Sequence, residues 1–439
     1  MNDRLLTAST LAEQIDAAAA AIEPRVIAWR RDLHAHPELG NREFRTADIV
    51  QAHLREIGLD EVHGGVAHTG VVGLLKGAFP GPVVALRADM DGLPVTEDVD
   101  VPFASKVRTT WNGEEVGVMH ACGHDCHVAI LMGVAEILVG LRAQLHGSVK
   151  FIFQPAEEMP PQGEEGGAKL MIEQGVLQNP VPDAIFGLHV TSRLPTGVVG
   201  YRPGATMASS DRFSITVHGK QTHGAAPWLG VDPIVTAAQV VLGLQTIVSR
   251  GVDITREPAV VTVGMIKGGV RENIIPDSVE MRGTVRTFDE EMRDDIHERV
   301  TTLAEAIARG SRAGCKVCID KNYPVTVNDP ALTEAMLPTL ERVAGPGALM
   351  LVPKVTGSED FSYFQQVVPG LFFFVGVTPP DIDPAKAYSN HSPRFFADER
   401  AFGVGVRALA QLTCDYFARS TAEPRRREAG VTSQVASSG

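Results

Sequence analysis

The chain is 439 residues long, more than one hydrophobic core ordinarily serves, so two domains are expected. Hydrophobic residues at 44% and charged residues at 21% are the proportions of a globular protein and exclude a disordered one. A net charge of −13 excludes sequence-blind nucleic-acid binding, which needs a basic surface to neutralise phosphates.

The N-terminal segment from Asp3 to Arg25 reads as an alanine-rich helix with charges throughout. It lacks the basic start, apolar stretch and small-residue cleavage site of a signal peptide. The apolar segment Ala129 to Leu141 is interrupted by Glu136 and is too short to span a bilayer. A cytoplasmic protein with no membrane partner is expected. Further on, short apolar runs at Val83–Asp89, Val149–Gln154, Ala184–Val190 and Leu371–Val377 read as buried strands feeding loops. Helical patterns lie between them, as at Cys126–Leu141 and Ala168–Glu173. Strands alternating with helices predict an α/β fold with a mainly parallel sheet covered on both faces. Reactive groups of such sheets collect beyond the carboxyl ends of the strands.

The middle of the chain has another rhythm. Strand Arg212–Val217, helix Asp232–Ser249, strands Ala259–Lys267 and Val279–Thr287, helix Glu290–Arg309 and strand Lys316–Val327 follow one another. This β-α-β-β-α-β order predicts a ferredoxin-like unit. The expected division is a catalytic domain over 1–208 and 328–419, with an inserted domain at 209–327. Its second part opens on a helix at Pro330–Val343, and a disordered tail is expected over 420–439.

The 5 cysteines are too few for a disulfide framework. Cys315 and Cys318 sit three apart on a predicted strand, so their thiols diverge, and both are expected to be buried like apolar residues. The informative segment is His120-Ala121-Cys122-Gly123-His124-Asp125-Cys126-His127, where imidazoles, thiols and a carboxylate crowd before a helix. Cys122 and His124 alternate, so an extended backbone points both the same way, and a thiolate with an imidazole suits Zn²⁺, Mn²⁺ or a related ion. The helix N-terminus is expected to help keep Cys122 deprotonated. Gln154-Pro155-Ala156-Glu157-Glu158 follows a strand directly: one carboxylate can bind metal while its neighbour moves a proton, the two functions amide hydrolysis requires. Gly187-Leu188-His189-Val190 and Ser389-Asn390-His391-Ser392-Pro393 add histidines at further strand ends.

These segments, with Leu86-Arg87-Ala88-Asp89-Met90-Asp91-Gly92-Leu93-Pro94, Gly219-Lys220-Gln221-Thr222-His223-Gly224-Ala225-Ala226-Pro227 and Thr356-Gly357-Ser358-Glu359-Asp360-Phe361, stand in an ordered pattern. The pattern resembles the metallopeptidase-related amidohydrolases that include hippurate hydrolases, bacterial aminoacylases and plant auxin–amino-acid conjugate hydrolases, over about Arg30 to Glu399. The resemblance implies that Cys122, His124, Glu158, His189 and His391 bind two divalent metal ions, with Cys122 as a bridge. Zn²⁺ or Mn²⁺ is the first expectation, with Co²⁺ or Ni²⁺ as alternatives. It implies that Glu157 is the general base and that Asp91 orients a ligand from behind. It also implies that the inserted domain is a lid and dimerisation surface of a homodimer. There, His223 acts on the scissile carbonyl, often from the partner subunit, and Asn273 binds substrate.

Two departures stand out. Met159-Pro160-Pro161-Gln162-Gly163 and a second acidic pair, Glu164-Glu165, are inserted where relatives run into glycines; the preceding strand and the prolines favour Glu157 and Glu158. The polar addition Trp111-Asn112-Gly113-Glu114-Glu115 is expected at the pocket mouth. The function expected is hydrolysis of the amide bond of a small-molecule N-acyl amino acid. The rival readings are a dipeptidase or carboxypeptidase of the same superfamily, and a metal-stabilised binding protein without turnover.

Overall fold

The computed structural model describes residues 2–422. Its larger sheet has 8 strands. At the centre His146–Gln154, Phe79–Asp89, Ala184–Pro195 and Gly370–Thr378 lie side by side and parallel. Every residue of Gly370–Thr378 is buried, as a strand covered on both faces requires. The expected mainly parallel sheet is therefore a parallel centre with antiparallel flanks. Gly70–Lys76 and Glu61–Val66 are antiparallel on one side, and Val199–Tyr201 is antiparallel on the other, with Leu349–Leu351 beyond it. The flank at Glu61–Lys76 is a hairpin, whose tight turn needs only the few residues around Ala67 and His68, both at positive φ.

Period-two alternation divides each central strand between two cores. Val84, Leu86 and Ala88 pack with the helices Asn2–Ala35, His124–Gly140, Pro330–Ala344 and Phe402–Ala422. Ala85, Ile152, Ile185 and Phe372 pack on the other face with the short helices Gly167–Glu173 and Phe361–Gln365. The helix His124–Gly140 is apolar all round because the sheet lies on one side of it and outer helices on the other. Arg87 falls on the second face, and a guanidinium so enclosed must find acceptors there.

The smaller sheet has 4 strands in the order Ala259–Gly268, Ser278–Thr287, Asp211–His218, Gly314–Lys321, all antiparallel. The helices Pro233–Thr246 and Glu290–Gly310 cover one face. Asp232 and Asp289 cap them by accepting from Ile234, Val235 and Met292 N–H groups. The last strand ends at Lys321 rather than Val327, because Thr326–Asn328 leaves to pair with Gly204–Met207. Cys315 and Cys318 do face opposite ways, but Cys318 is exposed on the uncovered face rather than buried. One helical segment among the described residues, Pro233–Gly251 rather than Ala129–Leu141, has the length and apolarity to cross a membrane. It lays Ala237, Val240 and Leu244 on the smaller sheet. The terminal helix continues to Ala422, three residues into the tail expected to be disordered, and positions 423–439 lie outside the described residues.

Where the chain enters the smaller sheet, Asp211 is fully buried. It accepts from Arg293 Nε at 2.8 Å and Nη2 at 2.5 Å, and from Asn322 N–H at 3.1 Å. Removing one member of a buried ion pair leaves the other charge uncompensated. Arg293→Ala is predicted to destabilise this unit by about 3–5 kcal/mol, read by chemical denaturation; a change under about 1 kcal/mol would contradict this account.

Candidate metal centre

The motifs meet beyond the carboxyl ends of the parallel strands, at the floor of a cleft of about 1030 Å³. Cys122 Sγ lies 3.3 Å from His189 Nε2 and 3.2 Å from His391 Nε2. His391 Nε2 is 2.7 Å from Glu158 Oε1. Donor atoms of Cys122, His124 and His189 lie within 4.8 Å of one another, as do those of Cys122, Glu158 and His391. The two sets share Cys122, so the five side chains form two adjoining sites with one thiol between them.

Each imidazole is oriented from behind. His189 Nδ1 faces its neighbour's carbonyl, Val190 O, at 2.7 Å, which leaves Nε2 as the free lone pair. His124 Nδ1 faces Asp91 Oδ1 at 3.1 Å, while its buried Nε2 has no hydrogen-bond partner among the described residues. A buried ring nitrogen held in this tautomer and left unsatisfied fits a cation as its missing partner. Asp91 also accepts from the N–H groups of Glu157 at 3.1 Å and Glu158 at 2.9 Å. One carboxylate thus ties the histidine loop to the glutamate loop. Asn390 Nδ2 does the same for a third loop, donating to Cys122 O at 2.9 Å and Val190 O at 3.1 Å.

Behind the centre lies a buried ionic cluster. The Arg87 guanidinium donates to Gln154 Oε1 at 2.8 Å, Asp89 Oδ2 at 2.7 Å, and Glu359 Oε1 and Asp360 Oδ1 at 2.9 Å each. Asp360 N–H donates to Glu157 Oε1 at 3.3 Å, and Tyr323 Oη donates to Glu157 O at 2.6 Å. Burial together with neighbouring carboxylates pushes Glu359 up to about 8 and Glu157 well above the usual carboxylate range. Burial and then Glu158 push the Cys122 thiol up too. Burial opposes a charge on His124, but Asp89 and Asp91 outweigh it and raise its pKa to about 10. Burial is the first cause of the rises at Glu359, Glu157 and Cys122, and nearby carboxylates add to all four shifts, because the pocket holds more negative groups than positive ones. A pair of divalent cations would supply the missing charge.

A family model described as peptidase family M20/M25/M40 matches residues 85–415. The chain belongs to this peptidase family. Within and around it, thermostable carboxypeptidase 2 of Saccharolobus solfataricus is 40% identical over 407 residues, covering 92% of this chain and 99% of that one. N-acetylcysteine deacetylase of Bacillus subtilis is 38% identical over 392 residues, covering 89% and 97%. A crystal structure of a dinuclear metal binding peptidase from the M20 family of Bacillus subtilis matches with a TM-score of 0.77 and 36% identity, covering 91% and 99%. The family and the α/β fold of the sequence reading therefore stand.

Not every expected residue reaches this centre. His223 and Asn273 are neighbours, with Gly224 N–H donating to Asn273 O at 2.8 Å, but neither lines the cleft of its own chain. His223 is exposed at the rim of the smaller unit. Glu164 turns away to pair with Arg42. The Trp111 segment is a hairpin, Arg108–Trp111 with Glu114–Gly117, turned by Asn112 and Gly113 at positive φ; it does not line the cleft either. In the octapeptide, Asp125 is held by Arg30 at 2.8 Å and His127 by Asp89 at 2.5 Å, so both are scaffold. Sequence reasoning missed Arg87 and the arginines that line the cleft. The available signal was an arginine inside an otherwise apolar strand, and arginines at alternate strand positions.

Gly123 separates Cys122 from His124 at φ 96°, and a Cβ there would stand 2.4 Å from Val190 Cγ2. Gly123→Ala is predicted to cost at least about 1–3 kcal/mol in strain alone. Lowered thermal stability is expected, and unchanged stability would show that this turn is not constrained as described.

Proposed function

We propose that the chain is a two-metal amidohydrolase that releases an amino acid from an N-acyl amino acid. The observation that carries this is the convergence of two ligand sets on Cys122, with Glu157 beside them and outside both. Cys122, His124 and His189 would hold one cation, and Cys122, Glu158 and His391 the other. A thiolate, imidazoles and a carboxylate suit Zn²⁺ or Mn²⁺ first, with Co²⁺ or Ni²⁺ tolerated. When bound, such ions polarise an amide carbonyl and acidify water. Glu157 then takes the proton of the attacking water and passes it to the leaving nitrogen. Asp91 and Asp360 hold Glu157 in place through the backbone and its Oε1. The substrate's carboxylate finds Arg286 on the cleft wall, whose one hydrogen-bond partner there is Ser358 Oγ at 3.1 Å. The deacetylase and carboxypeptidase among the relatives act, by their names, on amides of this general type. All five cysteines are free, as suits a reducing cytoplasm.

The inserted unit, 209–327, serves in this reading as lid and dimerisation surface. Its outer side exposes Trp228, Ile234, Val235, Leu242, Ile266 and Val270, the last two fully or half uncovered at 94% for Val270 and 55% for Ile266. An apolar patch of that extent on one side suits a partner copy. His223 on the rim would then complete the partner's cleft, with Asn273 fixing its loop.

Glu157→Gln should retain metal by elemental analysis but lower kcat by about 10²–10⁴ on an N-acyl amino acid, whereas Cys122→Ala should lose metal. Undiminished turnover in the glutamine variant would remove Glu157 from its role. Leu242→Asp should convert a dimer to a monomer in sedimentation velocity and reduce turnover with it. A wild-type monomer with full activity would end the proposal that His223 acts across subunits.

A further inference from the structure

The smaller sheet turns one face to its helices and the other to the cleft. Along Asp211–His218 the helix face takes Phe213, Ile215 and Val217, which leaves Arg212 on the other. Along Ser278–Thr287 it takes Val279, Met281 and Val285, which leaves Arg282, Thr284 and Arg286. The register sets Arg212 opposite Thr284. Its backbone position is therefore diagonal to both arginines of the next strand, roughly 7–8 Å from each by sheet geometry. All three line the cleft, joined from the larger unit by Arg193.

These charges are only partly neutralised: Asp320 stands opposite Arg212 in the register, and no ion pair joins them among the described residues. Among the described residues Arg212 Nη2 meets only Met159 Sδ, at 2.8 Å, and Arg286 meets Ser358 Oγ. Arg282 alone has a carboxylate, Glu280 at 2.6 Å, and that pair is solvent-exposed. The acidic residues lining the cleft are Glu157, Glu158 and Glu359, all at the proposed metal end. Burial lowers the pKa of Arg286, Asp211 opposes this, and the like charge of Arg212 adds a smaller lowering. Such a cluster costs stability in the free protein and suits an anion that relieves it. One carboxylate engages one guanidinium fork and an extra donor, so three forks on one wall exceed what a single carboxylate uses. The opposite wall is apolar, built from Leu194, Met207, Val352, Val355 and Phe374.

We propose that the cleft selects amides of dicarboxylic amino acids carrying an apolar acyl group, with Arg286 on the carboxylate next to the scissile nitrogen and Arg212 with Arg282 on the side-chain carboxylate. This rests on the amidohydrolase reading above. The acyl group lies on the apolar wall, and the amino-acid part lies under the basic one.

The test compares N-benzoyl-L-glutamate with N-benzoyl-L-glutamine, which differ in charge but hardly in shape, on the metal-loaded full chain. The kcat/KM ratio should favour the glutamate at least tenfold, and the Arg212→Gln, Arg282→Gln double variant should bring it close to one. The ratio is independent of how much variant folds. A wild-type ratio at or below one, or a preference that survives the double variant, overturns the proposal. If neither compound is hydrolysed, the amidohydrolase reading falls, and the ratio of their Kd values by calorimetry judges the subsite instead. The same tenfold preference, lost in the variant, upholds it; equal affinities overturn it.

Discussion

The centre is organised by a charge imbalance that the fold creates and does not itself cancel. Asp89, Glu157, Glu359 and Asp360 are buried around a single guanidinium, Arg87, with Cys122 and Glu158 at the edge. Isolated charges in such surroundings are unfavourable by several kcal/mol each, and a protein relieves this by protonation or by counter-charge. Without cations the relief is protonation, which is why Glu157 and the Cys122 thiol are both driven upward. Divalent cations held by the two ligand sets would let the same carboxylates remain anionic, which the proposed role of Glu157 as base requires. Arg87 decides which carboxylates stay scaffold. It engages Asp89, Glu359 and Asp360 directly and leaves Glu157 and Glu158 to the cleft.

The parallel centre of the sheet was legible because each of its strands is a continuous apolar run ending in polar residues, a pattern that only two-sided burial produces. The proposed site was legible for a related reason: Glu157, Glu158 and His189 stand where such runs stop, and Cys122 and His124 stand at the start of a helix. The antiparallel flanks were not, since Glu61–Val66 is half exposed and carries little apolar signal. Nor was the fate of His223. A loop histidine looks the same in sequence whether it faces its own cleft, solvent or a partner, and only the arrangement of the smaller unit decides. The Trp111 segment misled through polarity, which marks exposure without saying where. Its Asn112-Gly113 pair is a hairpin-turn signal that the reading of the segment as a pocket rim passed over.

The cleft-facing arginines illustrate a different limit. Alternation along Asp211–His218 and Ser278–Thr287 reveals one apolar and one polar face, but the polar face of a sheet is ordinarily just solvated. What changes the meaning of Arg212, Arg282 and Arg286 is the second unit standing opposite, with an apolar wall and a metal-competent floor. A chain with a net charge of −13 can hold a basic surface where only a bound molecule meets it. Whole-chain charge therefore speaks against a polyanion such as nucleic acid spread over the surface, and says nothing of an anion that enters a pocket.

Backbone strain gathers at the same place. Gly123 at φ 96°, Ala156 at φ 51° and His391 at φ 70° occupy the left-handed region, and each is at or beside a ligand position. Two of the three are not glycine, so the conformation costs of order 1 kcal/mol or more apiece. Each is held by a bond from elsewhere in the chain: Ala156 N–H donates to Glu43 Oε1 at 2.9 Å, and His391 N–H to Ala121 O at 2.8 Å. A strand that ends in a regular turn would send alternate side chains apart. A left-handed residue instead reverses the chain abruptly, so that Glu157 and Glu158 enter the cleft together and His391 comes back over Cys122. The strain is thus the cost of bringing the proposed ligands from four separated segments onto one thiol.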